Sequence, residues 1–582
     1  MRRRSVGHAV VPVGLVAVAL LLTACAGIPT NGPVRSVRSD DDAARTTVRY
    51  SPAGPRVGAS PEEIVRGYLD AMLAYPVTTA TATEYLTPSA ASRWRAGRST
   101  TVYGPHTVTR VVTPPQQSDA QDGTAGAALV RLQASTKAVL GPTGRYADGD
   151  DVDRQLQLVR VRGQWRIANP PDGTLVSARF FEDYYRPFDI YFFDRPGERL
   201  VPQVVHLPVG GQLPTALVAA LAAGPSDARF LRSYVPSRAS LRPSVPVSNG
   251  TADVAFTVDL GSRERGRLNR LAAQLVWTLR QVPELSGVRV NGGTAVVSPS
   301  GQPVNQMTDW ARFGPPEPSA VVYALVRDRL RRLDGSRLVR IPGPWGEDAR
   351  GSSSVAVGDE SAAGIVDGGS AVRVQPLDGG RARIVPGDDV GAVTWDAVGR
   401  LWVVDRPDGR TRVRTGTTED LRTLRAPALD DLAVSTIAVS PDGGNVVLSG
   451  RRPGRDAVVV APVARDASGG ATRLGRPRAL ASDVRVVRAA GWLEPSVVEL
   501  LGSTRLGVQV RQVSLDGSGL TSGVGGGAAL APDLDLGRLV RGSATDPPRW
   551  ATDSRGGLWY LPPGQTWELV PSPRVAGLSA SP

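Results

Sequence analysis

The spacing of hydrophobic residues changes along the chain and divides it into regions of different predicted structure. From residue 60 to about residue 95, apolar side chains recur at intervals of three and four, which predicts helices. From residue 106 to residue 194, apolar and polar residues alternate, as in LQLVRV at 156–161, which predicts strands joined by tight turns. Beyond residue 320, short apolar segments and polar turns repeat many times, which predicts an all-β region.

The first folded region, residues 60–195, is predicted to be an α+β domain. Ser60, Pro61 and Glu63 form a capping box that begins a helix, and a second helix is predicted over residues 80–94. Four strand-like runs follow: HTVTRVVT, AALVRLQASTKAVL, RQLQLVRVRGQWRIANPP and FDIYFFD. Helices followed by a bent antiparallel sheet resemble the cystatin or NTF2-like architecture. Some proteins of that architecture use a pocket for catalysis, but no paired Asp and His accompanies His106, which we interpret as a surface or strand-end residue.

The middle region, residues 200–315, combines helices and strands. LPTALVAALAAGP at 213–225 predicts a helix that ends at Gly224, and TADVAFTVDL at 251–260 predicts a strand. A second helix is predicted from Leu268, Leu271, Leu275 and Leu279, which share one side, and SGVRVNGGTAVV at 286–297 predicts a hairpin. Segments in this order resemble the GerMN domain, a small α/β module of bacterial envelope and sporulation proteins. That resemblance implies an interaction or scaffold role without enzymatic activity.

The C-terminal region, residues 320–582, contains a loose repeat of two apolar strands separated by a polar turn. Five copies align on Val355, Trp395, Val439, Trp492 and Trp550, with separations of 40, 44, 53 and 58 residues. Because propeller blades contain ~40–50 residues, this region is predicted to be a degenerate β-propeller of five or six blades. It has no histidine and no repeated charged ring, so we expect a platform for a partner rather than a catalytic channel.

The N-terminus has the features of a targeting signal. Three arginines at positions 2–4 precede an apolar run at 9–22, which is short for a membrane span of ~20 residues. The residues that follow resemble the lipobox of bacterial lipoproteins: Leu22, Thr23, Ala24 and Cys25. We therefore predict a signal peptide at 1–24, cleaved after Ala24, and a flexible tether at 25–59.

Cys25 is the only cysteine of the chain, which excludes a disulfide framework. In the lipobox interpretation its thiol takes a diacylglyceryl group as a thioether, and its new amino group takes a palmitoyl chain. Leu22, Thr23 and Ala24 then provide the recognition sequence for the signal peptidase. Two or three acyl chains on one residue give stable anchoring in a membrane. The alternative is a plain secretory signal, or a short signal anchor, with an incidental cysteine.

The charge of the chain changes this picture little. The formal net charge is +13, almost all from arginine, and the arginines alternate with Asp and Glu along the chain. There is no run of five like charges and no recognition-helix pattern, so we expect no nucleic acid among the partners. A mixed, solvated surface with some attraction to an anionic membrane fits this pattern better.

Candidate metal and cofactor motifs are weak. The aspartates at 40–42 lie in the predicted tether, and the acidic loop ADGDDVD at 147–153 has Val152 where an EF-hand would place a ligand. GVGGGA at 523–528 fits a dinucleotide pattern but no helix follows it. Beyond the signal peptide only His106 and His206 remain, too few for a three-histidine zinc site. We therefore predict no catalytic residue, no metal and no cofactor.

In this order of regions the whole chain resembles the LpqB family of actinobacterial lipoproteins. The stretches GQWRIANPPDG at 163–173 and LVAALAAGP at 217–225 support the resemblance best, and the arginine-rich composition agrees with it. The resemblance implies a non-enzymatic accessory protein of the MtrA–MtrB two-component system. Such a protein is anchored by lipid on the extracytoplasmic face of the cell membrane, contacts the sensor histidine kinase there, and tunes envelope homeostasis and division. The alternative is a glycan- or peptidoglycan-binding protein, or an envelope hydrolase, that acts through the propeller face.

Overall fold

The computed structural model describes residues 49–111, 127–316, 321–480, 484, 486–504, 507–518, 536–541, 548–562 and 566–581. The predicted signal peptide and residues 25–48 of the predicted tether lie outside these residues. Residues 49–59 are described, and the predicted tether is wrong there, because Tyr50 forms a β-bridge with Tyr75 and the Ala53 carbonyl accepts a hydrogen bond from the Tyr85 hydroxyl. The described residues form an N-terminal α+β domain, a middle α/β domain and a β-propeller, which confirms the multi-domain fold class.

The N-terminal domain begins with three short helices, and a fourth follows its sheet: α1 Pro61–Ala71, α2 Ala80–Glu84, α3 Pro88–Arg93 and α4 Ala178–Tyr184. The capping box of α1 is confirmed, because Ser60 Oγ accepts a hydrogen bond from the Glu63 amide and the Glu63 carboxylate accepts one from the Ser60 amide. The single helix predicted over residues 80–94 is wrong. Proline is tolerated only in the first turn of a helix, and Pro88 begins α3 immediately after the Thr87 cap.

The sheet of this domain packs against α1. Its strands are β1 Thr100–Val111, β2 Ala128–Leu140, β3 Tyr146–Ala147, β4 Val152–Val161, β5 Gln164–Ile167 and β6 Thr174–Ser177. The order is β5-β4-β2-β1-β6, with β3 beside β2, and the pairing is antiparallel except between β1 and β6. The predicted hairpin of β4 and β5 is confirmed, and Arg162 and Gly163 at its turn have positive φ angles.

A three-stranded sheet links this domain to the next: β7 Tyr185–Asp194, β8 Leu200–Pro208 and β9 Leu231–Arg232, in the order β8-β7-β9. The stretch FDIYFFD, which forms most of β7, was predicted to belong to the sheet of the first domain, and this prediction is wrong. The four consecutive apolar residues at 190–193 are buried on both faces of the strand. The layers that cover them belong to the core of the middle domain.

The middle domain has two helices and a second sheet. The helices are α5 Leu213–Ala222 and α6 Arg265–Leu279, and the strands are β10 Val247–Ser248, β11 Thr251–Ala255, β12 Gly287–Gly292, β13 Thr294–Val296 and β14 Val304–Asn305. The order is β10-β11-β12-β13, with β14 beside β12. Of the predicted leucine face of α6, Leu271, Leu275 and Leu279 are fully buried, and Leu268 is half-buried against the same core. Gln274 of α6 holds β7 through a hydrogen bond to the Tyr191 carbonyl.

The propeller consists of six sheets within the described part of the chain. The first blade contains β15 Val322–Val326, β16 Arg329–Asp334 and β17 Arg337–Arg340, and the short helix α7 Pro344–Glu347 follows it. The second blade contains β18 Ser354–Val357, β19 Ser361–Val366, β20 Ala371–Pro376 and β21 Arg383–Pro386. The third blade contains β22 Ala392–Trp395, β23 Leu401–Asp405, β24 Arg412–Gly416 and β25 Leu421–Leu424.

The last three sheets complete the ring. The fourth blade contains β26 Ala433–Val439, β27 Asn445–Arg452, β28 Arg455–Arg465, β29 Ala471–Leu474 and β30 Arg478–Ala479. The fifth blade contains β31 Val486–Glu494, β32 Val497–Thr504 and β33 Gly507–Ser514. The sixth blade contains β34 Leu536–Arg541, β35 Arg549–Asp553, β36 Leu558–Leu561 and β37 Glu568–Val570.

The strand β38, Val575–Ala580, closes the propeller. It pairs with β15 and so becomes the inner strand of the first blade, 250 residues after its partner in sequence. The predicted five- or six-bladed propeller is therefore a six-bladed one in the described residues.

One repeat of the sequence alignment is out of register with the blades. Trp550 lies on β35, the second strand of its blade, whereas the equivalent Trp395 lies on the first strand, β22. The two copies share a turn in which an aspartate accepts from two backbone amides and from a tryptophan Nε1, Asp396 with Trp402 and Asp553 with Trp559, both at 3.0 Å. The same turn motif therefore serves two different positions within a blade.

Candidate functional site

The predicted lipidation site lies outside the described residues. Cys25 and the three residues of the predicted recognition sequence, Leu22, Thr23 and Ala24, are all in this part of the chain, so their role stays a prediction. In the part that the structure covers, no helix is both long enough and apolar enough to cross a membrane.

The centre of the propeller contains a cavity of about 510 Å³. Small and apolar side chains of the inner strands dominate its wall, among them Val355, Ala392, Ala438, Ala490 and Leu578. Two tryptophans also line it. Trp492 Nε1 donates to the Ala438 carbonyl at 3.0 Å, and the indole of Trp395 packs against Gly358, where a Cβ would lie 3.0 Å from the ring. The remaining wall includes Arg488, Glu499 and several serine and threonine residues, so the cavity is apolar with a few polar positions.

The charged groups of this channel are already paired. Glu499 is the one carboxylate among the described lining residues, and its Oε1 accepts a hydrogen bond from Arg549 Nε at 2.9 Å. Arg488 Nη1 donates to the Leu536 carbonyl at 3.0 Å. Glycoside hydrolysis ordinarily needs two carboxyl groups, one on each side of the bond that is cleaved. The described wall of the channel does not provide that pair.

The clearest polar constellation lies where the three domains meet. His206, on β8 of the middle domain, is buried, and its Nε2 lies 2.7 Å from Oδ2 of Asp516 in the propeller. The amide of His206 donates to the Gly144 carbonyl of the N-terminal domain at 2.7 Å, and the ring of Phe181 lies 5.9 Å from the imidazole. One residue therefore contacts all three domains.

Asp516 is held as a carboxylate at this junction. Burial raises the pKa of Asp516, but the hydrogen bond and the charge of His206 lower it, and the Ser518 amide, which donates to Oδ1 at 2.9 Å, lowers it further. The outcome is a pKa below the ordinary value for aspartate. A charged group that is buried with its partners in place is costly to disturb, so the pair fixes the propeller against the middle domain.

Two other aspartates lie at the same interface, Asp442 fully buried and Asp189 half-buried. Asp189 of β7 accepts a hydrogen bond from Ser496 Oγ of the propeller at 3.0 Å, and burial raises the pKa of Asp189 to about 6. Asp442 belongs to the turn SPDGG, where its Oδ1 accepts from the Gly444 amide and from Ser440 Oγ. Burial raises the pKa of Asp442 to about 6 as well. Both carboxyl groups are therefore less acidic than an exposed aspartate.

The SPDGG turn also explains how closely the domains approach. A Cβ at Gly444 would lie 2.5 Å from the Val201 side chain of β8, so only glycine allows this contact. From the sequence, this stretch was only the polar turn of the repeat that aligns on Val439, with no predicted role at an interface. Nothing local in the sequence indicates that role, because Val201 and Gly444 are far apart along the chain.

The remaining candidate residues from the sequence lie on the surface, in a hairpin loop, or outside the described residues. His106 is exposed on β1, in agreement with its interpretation as a surface residue, and its ring contacts Tyr103. In the acidic loop at 147–153, Asp151 Oδ1 accepts from the Thr136 amide and Asp153 pairs with Arg131, as in a hairpin loop. The aspartates at 40–42 and the stretch 523–528 lie outside the described residues. Within the described ranges, no cluster of three metal-ligating side chains is present.

Three protein-family models match the chain one after another. They are described as "Lipoprotein LpqB, N-terminal domain" at residues 54–182, "Sporulation and spore germination" at 189–293, and "Lipoprotein LpqB beta-propeller domain" at 328–577. The second match begins within β7, in agreement with the packing of that strand on the middle domain.

Several proteins that are similar to this chain over most of its length are named Lipoprotein LpqB. Lipoprotein LpqB of Thermobifida fusca is 30% identical over 87% of this chain and 90% of that protein. The proteins of that name from Streptomyces avermitilis and Mycolicibacterium smegmatis are 29% and 28% identical, over 86% and 76% of this chain and 87% and 79% of theirs. Among solved structures, TolB from Acinetobacter baumannii aligns with 46% of this chain and 68% of its own, at 11% identity and a TM-score of 0.30. A score this low supports no argument about this chain.

Proposed function

Because this chain belongs to the lipoprotein LpqB family, we propose that it is a non-enzymatic, lipid-anchored accessory protein of a two-component sensor kinase of the MtrA–MtrB type. In this proposal Cys25 holds the protein on the extracytoplasmic face of the cell membrane. The folded domains then contact the extracytoplasmic part of the sensor histidine kinase and adjust its signalling in envelope homeostasis and division.

The observation that supports this proposal best is the junction at His206. It joins the N-terminal domain, the middle domain and the propeller through a buried pair of side chains. A buried pair with its hydrogen bonds in place is costly to break, so the three domains present their surfaces to a partner in one fixed arrangement. Such a body suits an adaptor better than it suits an enzyme with moving parts.

The anchor can be tested by replacing its cysteine. We expect Cys25→Ala to shift the protein from the membrane fraction to the soluble fraction, because acylation needs the thiol. Thr23→Ala is the matched control, since alanine is also small and leaves the thiol in place. Fractionation of cells that express each variant at native abundance, followed by immunoblotting, measures the distribution. A Cys25→Ala protein that stays in the membrane fraction would contradict the lipid anchor.

The partner can be tested in the same cells. We expect in-cell crosslinking and mass spectrometry to recover the sensor kinase with the wild-type protein and with Thr23→Ala, and at least tenfold less of it with Cys25→Ala. Recovery of other envelope proteins without the kinase would contradict the proposed partner. Normal kinase signalling from Cys25→Ala at native abundance would show that the anchor is dispensable for the role.

A glycan- or peptidoglycan-binding protein is the second candidate, and the observation that favours it is the pair of tryptophans, Trp395 and Trp492, in the wall of the channel. Co-sedimentation of the protein with purified cell walls tests it. Binding that Trp492→Ala abolishes, and that exposed Val486→Ala does not, would support this candidate over the kinase partner. The hydrolase form of this candidate has no second carboxylate in the described channel wall.

A further inference from the structure

A second cavity, of about 270 Å³, lies where the three domains meet, and it is rich in arginine. The N-terminal domain contributes Arg145, the middle domain contributes Arg229, and the propeller contributes Arg476 and Arg478. Its remaining wall comes from β8, from the segment 226–231 and from the propeller turn at Gly444. Four guanidinium groups from three domains therefore converge on one space.

The two carboxylates of this cavity are already bound. Asp227 pairs with Arg229 through two hydrogen bonds, Nε to Oδ1 at 2.9 Å and Nη2 to Oδ2 at 2.6 Å. Asp516 pairs with His206. Three guanidinium groups consequently face the cavity without a carboxylate partner in the described residues: Arg145, Arg476 and Arg478.

The hydrogen bonds of these three arginines leave donors to spare. Arg145 Nη2 donates to the Gly224 carbonyl and to Gln203 Oε1, which leaves Arg145 Nη1 without a partner among the described residues. Burial also lowers the pKa of Arg145, so its charge lies in a poorly hydrated place. Arg478 Nη1 donates to the Asp516 carbonyl, and exposed Arg476 makes no side-chain hydrogen bond or ion pair in the described part of the chain. A buried cationic group with an unused donor gains most from an anion.

We propose that this cavity binds a small ligand that carries a phosphate group. Guanidinium groups bind phosphate through two parallel hydrogen bonds each, and the oxygens of a tetrahedral dianion accept from more directions than the two coplanar oxygens of a carboxylate. A cavity of about 270 Å³ holds a phosphate and leaves space for a small organic group. The ligand is either inorganic phosphate or a small phosphate monoester.

Binding here has a structural consequence. Because the three available arginines belong to the N-terminal domain and to the propeller, the ligand stabilises the docking of these two domains by an amount that grows with the logarithm of its concentration above the dissociation constant. The cavity would therefore couple the level of a phosphorylated small molecule to the rigidity of the junction. This inference is independent of the kinase partner proposed above.

The experiment is isothermal titration calorimetry on the full chain in a non-ionic detergent, at constant ionic strength. The probes are sodium phosphate and glycerol 3-phosphate. We expect saturable binding of at least one probe, at least tenfold weaker binding for Arg145→Gln, and at least fivefold weaker binding for Arg476→Gln. Arg410→Gln is the matched control, an exposed propeller arginine outside the cavity, and it is expected to bind within twofold of wild type.

Each outcome has a defined meaning. Absence of saturable binding for both probes, or an equal loss in Arg410→Gln, overturns the proposal. Arg145 packs at the junction and its replacement can loosen the fold, whereas the Arg476 side chain is exposed, so Arg476→Gln decides the case if Arg145→Gln unfolds. Tenfold tighter binding of glycerol 3-phosphate than of phosphate assigns a monoester as the ligand, and equal or weaker binding assigns inorganic phosphate.

Discussion

At the scale of the residue, three aspartates of the same interface differ in acidity because their hydrogen-bond partners differ. Asp516 faces an imidazole and a backbone amide, and its pKa is lowered. Asp189 and Asp442 have neutral donors, a serine hydroxyl or a serine hydroxyl with an amide, and the pKa of each is raised to about 6. Neutral donors do not offset the loss of hydration that burial imposes on a carboxylate.

The raised pKa of Asp442 predicts a pH dependence of stability. Its stabilising contribution is complete below the unfolded pKa near 3.8 and is lost as the pH rises through about 6. Asp442→Asn keeps the acceptor oxygen and removes the charge. We expect its free energy of unfolding to exceed that of wild type by about 1–3 kcal/mol at pH 7.5 and to differ little at pH 4.

Urea denaturation at both pH values measures this difference. Asp420→Asn is the control, because Asp420 is exposed and its substitution should leave the pH dependence unchanged. A variant Asp442→Asn that is less stable than wild type at pH 7.5 would show that the Asp442 carboxylate is favourably bound as an anion.

The residue scale also shows what local sequence can and cannot predict. The capping box at Ser60 was predictable because its two partners are three residues apart and every atom involved belongs to one turn of helix. The pair of His206 and Asp516 was not, since 310 residues separate its members and no spacing rule connects them. A single histidine in an apolar strand gave no sign of its partner.

At the scale of the element, the positions of strands along the chain were predicted more reliably than the sheets to which those strands belong. Alternation and turn residues located the hairpin of β4 and β5 correctly, and the spacing of leucines located the helix α6. The strand β7 was assigned to the wrong sheet, because a run of apolar residues is compatible with any buried sheet and only the packing decides which. The copy at Trp550 was misaligned for a related reason, since one Asp and Trp turn occurs at two positions within a blade.

The closing strand β38 provides a test at this scale. Leu578 is buried in the first blade, and we expect Leu578→Ala to lower the free energy of unfolding by about 2–4 kcal/mol, through lost apolar contact and a residual cavity. The same substitution at Leu569, which is 58% exposed on β37, should cost less than about 0.5 kcal/mol. Equal losses, measured by chemical denaturation, would contradict the role of β38 in the ring.

At the scale of the whole molecule, the domains are coupled through few but buried contacts. The middle domain contacts the propeller through His206, Asp189 and the Gly444 turn, and it contacts the N-terminal domain through the Gly144 carbonyl and through Tyr75, whose hydroxyl donates to Val209. The order and type of the three domains could be predicted from sequence, because each has its own periodicity. Their mutual docking could not, because it depends on contacts between distant segments.

This coupling predicts how the protein unfolds on heating. We expect His206→Ala to leave Asp516 buried without its main partner, to destabilise the protein by about 3 kcal/mol, and to separate the unfolding of the propeller from that of the middle domain. Differential scanning calorimetry should show one transition in wild type and two in the variant. His106→Ala is the control, since His106 is exposed. A single, unshifted transition in His206→Ala would contradict the coupling.

The position of β38 in the first blade has a consequence for biosynthesis. Its partner β15 ends at residue 326, but the first blade lacks its inner strand until residue 580 has been made. The N-terminal and middle domains can fold while the chain is still growing, whereas the propeller must remain an open arc until synthesis has passed its last strand. During that interval the inner edge of β15 is an unpaired strand, so this step is when the nascent protein most needs protection from aggregation.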